Sequence, residues 1–114
     1  MSPVVAGSGT QTAVIGTEHT LLTQSTPKTC VLQVDLSNLA LGDVVALSIY
    51  NKTLSGDTIT PGTTAPIYQA SYAHARSEGV VQSVPVPVGF QGVFTLLQSA
   101  GTGRAFKWHV LTLD

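Results

Sequence analysis

The chain has 114 residues, a single cysteine, a net charge of −1 and only 10% charged residues, against about 25% in ordinary soluble domains. That length suits one domain, and one cysteine excludes an intrachain disulfide or a thiolate zinc site. Lys28, Lys52, Arg76, Arg104 and Lys107 are scattered, so there is no basic stripe to neutralise nucleic-acid phosphates.

Residues 1–9 (M-S-P-V-V-A-G-S-G) hold Gly, Ser and Pro without a pattern and predict an N-terminal arm, with the folded domain spanning residues 10–114. No basic segment or long apolar run marks a leader, and no stretch nears the ~18 apolar residues of a membrane span. The chain is therefore expected to fold in a reducing host cytoplasm, with no membrane partner.

Residues 10–15 and 18–23 are short β-prone runs parted by Gly16. Residues 30–36 (C-V-L-Q-V-D-L) alternate, with Cys30, Leu32, Val34 and Leu36 on one face, the period-two mark of a half-buried strand. Residues 37–43 form a loop whose Leu39 and Leu41 are expected to cap the core. Residues 44–54 are the longest strand, with Val45, Leu47 and Ile49 as its apolar face.

Residues 57–66 contain two prolines, one glycine and four threonines and predict the most exposed loop. Residues 67–75 return as a strand with Tyr68, Ala70, Tyr72 and His74 on one side. Residues 80–84 follow, and Pro85 and Pro87 flank Val86, which suits an edge because proline donates to no ladder. Residues 93–99 and 105–113, joined by A-G-T-G-R, predict an antiparallel hairpin. About eight short strands and no long amphipathic helix give an all-β, single-domain antiparallel sandwich, jelly-roll-like or Ig-like.

No catalytic motif emerges. A-G-T-G-R lacks the Lys-Ser/Thr of a phosphate loop and leads into a strand. His19, His74 and His109 fall in three strands without ligand spacing, so no metal or cofactor is expected. Cys30 reads as a small buried side chain. Tyr50, Tyr68, Tyr72 and Trp108 would make a sugar platform if they gathered on the surface, although core packing is the commoner use. The 15 Thr and 10 Ser, with so little charge, suit protein–protein contact, where charge is depleted.

Several segments resemble small virion proteins encoded by tailed bacteriophages. They are G-T-E-H-T-L (16–21), V-D-L-S-N-L-A-L-G-D (34–43), K-T-L-S-G (52–56), A-S-Y-A-H (70–74) and Q-S-A-G-T-G-R-A-F-K-W-H-V-L (98–111). The resemblance implies a structural virion component and no enzyme: a capsid cement, or decoration, protein on the outer head. Its partners would be the major capsid protein and itself, as a homodimer or homotrimer. The expected contact residues are Ser2, Pro3, Val4 and Val5 of the arm and Thr58, Ile59, Thr60 and Pro61 of the loop, with Tyr68 and Tyr72. The alternatives are a tail- or head-fibre-associated module binding host glycans, and a head–tail connector accessory protein.

Overall fold

The computed structural model describes residues 3–52, 54, 56–61, 63–73 and 79–113. Among the described residues nine strands run β1 (Val4–Thr12), β2 (Glu18–Gln24), β3 (Lys28–Asp35), β4 (Val44–Lys52), β5 (Tyr68–Ala73), β6 (Val80–Gln82), β7 (Val86–Val88), β8 (Gln91–Ala100) and β9 (Ala105–Leu113). They form two antiparallel sheets. One has the order β1-β9-β3-β6, with β7 continuing beside β3, and the other has the order β2-β8-β4-β5.

The pairings are nested. Thr10 lies opposite Lys107, Thr20 opposite Thr95, Cys30 opposite Val86 and Val45 opposite Tyr72. As one partner advances along the chain, the other retreats by nearly the same number. The whole chain is thus one long hairpin mirrored about Thr58. Its rungs fall alternately in the two sheets, and β9 against β3 and β8 against β4 close each sheet. A folded ribbon wrapped in this way is a jelly roll, and this strand order decides between the two sandwich topologies the sequence left open.

The alternating strands bury the faces expected of them. Cys30, Leu32, Val34 and Leu36 meet Val45, Leu47 and Ile49, with Phe94, Leu96, Phe106 and Val110 between the sheets. Each such side chain taken from water contributes roughly 1.5–3 kcal/mol. β6 and β7 together make one edge, interrupted at Ser83. There the Ser83 N–H donates to Leu32 O (2.9 Å) while the Leu32 N–H donates to Ser83 Oγ (3.0 Å). The hydroxyl accepts where a continuous strand would offer a carbonyl. Ser83→Ala should therefore orphan a buried N–H and lower stability by about 1–2 kcal/mol in urea titration.

Three expectations are corrected. Residues 105–113 do not pair with residues 93–99. β8 bonds to β2 and β4 in one sheet, and β9 to β1 and β3 in the other. The A-G-T-G-R turn carries the chain across the gap between sheets, roughly 10 Å in sandwiches. Its backbone is held by distant partners: the Ala13 N–H donates to Arg104 O and the Thr102 N–H to Asp43 Oδ1. The predicted arm is also not free, because β1 begins at Val4 and pairs with β9 along its length; removing residues 1–9 would take six residues from a strand. Leu41, expected to cap the core, is 84% exposed, whereas Leu39 is buried. The tight turn through Gly42, with φ of 91°, leaves only one of the two leucines facing inward.

Candidate functional site

One end of the sandwich is built around a buried carboxylate. Asp43, 1% exposed, stands just before β4. It accepts from the Ala40 N–H (2.9 Å), the Thr102 N–H (3.2 Å) and Arg104 Nε (2.9 Å). Fully buried Gln98 completes the set: its amide donates to Ala100 O and Thr102 O, and its Oε1 accepts from the Arg104 N–H. The Ala40 N–H, followed by the Arg104 and Thr102 donors, holds the Asp43 carboxyl below the ordinary carboxylate range despite its burial. These groups tie the β3–β4, β8–β9 and β1–β2 loops together, since the Gly16 N–H also donates to Gln98 O. On those fixed loops Val14, Ile15 and Leu41 stand exposed. Periodicity gave no sign of this network, because Asp43 and Arg104 stand 61 residues apart in the chain. The one visible signal was an Asp directly before an apolar strand and an Arg directly after a Gly-rich turn.

The opposite end carries the tip of the folded ribbon. Leu54, Ile67 and Phe90 are exposed there, close to where the Gly89 N–H donates to Asn51 Oδ1 and the Ile67 N–H to Ile49 O. Of the expected contact residues, Thr58 and Thr60 are exposed and Ile59 and Pro61 half-buried. Thr60 shapes its own turn: its N–H donates to Thr64 Oγ1 (2.9 Å), and its carbonyl accepts from the N–H groups of Thr63 and Thr64. Pro3, Val4 and Val5 are exposed at the start of β1; Ser2 lies outside the described residues. Tyr68 and Tyr72 are half-buried and pack against the core, so they offer little contact surface.

The remaining chemistry-bearing residues do not gather. His19 Nε2 accepts from the Val14 N–H in one sheet, and His109 bonds to Gln33 in the other; His74 lies outside the described residues. Among the described residues no three His, Cys, Asp or Glu side chains are placed to hold a metal. Tyr50 is 3% exposed, and its hydroxyl donates to Glu18 Oε2 (2.6 Å), as does that of Thr95 (2.6 Å). Trp108 packs against the core. These positions remove the aromatic platform as support for sugar binding. Cys30 is fully buried, and burial raises its thiol pKa, the opposite of what a reactive thiolate requires.

An open depression of about 210 Å³ lies against β3 and β9, lined by Gln33, Asp35, Val80, Lys107, Trp108 and His109. Gln33 Nε2 donates onward to Gln82 Oε1 (2.6 Å), so the amides and the imidazole are engaged with one another. The Asp35 carboxyl is held low chiefly by the Ser37 N–H and further by Lys107. Compared with protein-family models, curated proteins and solved structures, the chain matches none.

Proposed function

We propose that this protein is a structural component of a tailed-phage virion, a capsid cement protein that binds the outer head and bridges capsomers. The observation that carries the reading is the pair of apolar ends on a weakly charged body. Val14, Ile15 and Leu41 stand at one end and Leu54, Ile67 and Phe90 at the other, in a chain with 10% charged residues. The segments that resemble small phage virion proteins support the same reading.

The action is mechanical. A rigid sandwich about 40 Å long presents apolar side chains on pinned loops to neighbouring major capsid proteins, and many copies add their contacts through avidity. Rigid loops matter because no ordering entropy is lost when they dock. A small homo-oligomer, dimer or trimer, would multiply the contacts further.

Copy number in purified particles, by quantitative mass spectrometry against the major capsid protein, tests the proposal. A ratio within a few-fold of the capsid protein is expected. A handful to a few dozen copies would move the chain to a tail fibre or connector, and absence from the particle would end the virion reading.

A further inference from the structure

The two sheets have four edges among the described residues, and three of them are guarded. The β6–β7 edge is broken into two three-residue strands and carries Pro85 and Pro87. β2 is bulged between Thr20 and Leu22 and bears Glu18 and His19. β5 is six residues long and begins two residues after Pro66. Short strands, prolines, bulges and charge are the usual means of keeping an edge from pairing with another chain.

β1 is different. It has nine residues, V-V-A-G-S-G-T-Q-T, without a charge or a proline. β9 occupies one side of it, and among the described residues no strand is hydrogen-bonded to the other. Its single irregularity lies between Val5 and Gly7, leaving residues 7–12 in unbroken register. Ser8, Thr10 and Thr12 are exposed.

We propose that the free edge of β1 is an interface with a second copy of this chain, the two strands pairing antiparallel about a two-fold axis at Ser8 so that one sheet runs through both molecules. A second copy is the occupant the residues fit best. Antiparallel self-pairing about that axis sets Ser8 against Ser8 and Gly7 against Gly9, and an uncharged strand incurs no repulsion when it does so. The two Ser8 hydroxyls opposite one another make a favourable cross-strand pair, while Gly7 and Gly9 add no bulk.

The two-fold arrangement closes on itself and stops at a dimer. Nine residues at ~3.3 Å each give an edge of ~30 Å. With a body 19 Å thick, that edge offers about 600 Å² per copy, or ~1,200 Å² in total, the lower limit for a specific interface. The dimer should therefore form in the micromolar range. The association is read in the purified chain, so it stands or falls apart from the virion reading.

The test is sedimentation of the full chain from ~1 to ~100 µM, with Ser8→Lys, Ser8→Cys, Thr10→Cys and a control, Ser71→Cys on the β5 edge. The wild type should double in mass over that range. Ser8→Lys should stay monomeric at concentrations at least ten-fold higher, with an unchanged circular dichroism spectrum, because it sets ammonium groups close together across the pair. Antiparallel partners lie ~4.5–5.5 Å apart between Cα atoms, within disulfide reach. Position 8, on the axis, should therefore give an oxidised covalent dimer, whereas position 10, two residues off the axis and so ~13 Å along the strands from its own copy, and position 71 should not; Cys30 is buried and does not compete. A wild type that is monomeric at ~100 µM, a trimer, or cross-linking at position 10 or 71 in preference to position 8 would overturn the proposal. If Ser8→Lys fails to fold, the cross-linking comparison decides alone.

Discussion

Replacing Gly101 with alanine should unfold the protein or lower its stability by about 4 kcal/mol, the largest effect expected of any single methyl added to this chain. Two costs combine. Gly101 has φ of 92°, a conformation that strains any L side chain by roughly 1–2 kcal/mol. The added Cβ would also fall on Asp43 Oδ1 and within 2.8 Å of the Asp43 Cα. The oxygen has no room to yield, because it accepts from the Thr102 N–H and its carboxylate is held by Ala40 and Arg104. Gly42 provides the comparison. Its φ is 91°, yet a Cβ there meets nothing within 4 Å. Gly42→Ala should show the strain alone, about 1 kcal/mol, and the difference between the two variants in urea titration measures the collision. Equal losses would mean that the contact with Asp43 is unimportant.

Asp43→Ala should cost about 2–4 kcal/mol. It leaves the N–H groups of Ala40 and Thr102 without their acceptor and Arg104 without its anion. Unmet buried donors, and bonds to a charged group, each carry penalties of ~1–3 kcal/mol. Arg104 is 35% exposed and regains water, which keeps the loss below that of a fully buried broken pair. For a chain of this size the fall in Tm should be roughly 10 °C or more.

The same residue sets a pH dependence. Its folded pKa is depressed, led by the Ala40 N–H. The stabilisation is therefore complete above the unfolded value of about 3.9 and is lost as pH falls through the folded one. Wild-type stability should drop steeply below about pH 4. Asp43→Ala should start lower and fall less steeply, with a residual slope from Asp35, whose carboxyl is also held low. Parallel curves would show that Asp43 carries no proton-linked stability.

How far the sequence could be read depended on the range of the forces involved. Cys30–Leu32–Val34–Leu36 and Val45–Leu47–Ile49 reveal themselves because a pleated strand with one buried face must alternate, and all seven lie in the core. Pro85 and Pro87 marked an edge for an equally local reason. Which strand pairs with which is not a local property. The glycines of A-G-T-G-R suit a hairpin as well as a crossing between sheets, and the choice is made by Asp43, Gln98 and Ala13, none of them in that loop. The apolar end was hidden for a related reason: Leu39 and Leu41 are the same residue type two positions apart, and only the turn through Gly42 that follows leaves one inward and the other out.

The mirrored ribbon also determines when the protein can fold. β8 and β9 are late in the chain, yet each runs between two earlier strands, β8 between β2 and β4 and β9 between β1 and β3. Until they are synthesised, β1 and β2 lack their strand partners, β3 has only β6 and β7 and β4 only β5, and Phe94, Leu96, Phe106 and Val110 are missing from the core. β4 and β5 can meet across one loop, but every further rung encloses a longer stretch of chain, and such nonlocal closure is slow. The growing polypeptide therefore carries its apolar strands unsheltered almost to completion, and collapse follows as a single late event.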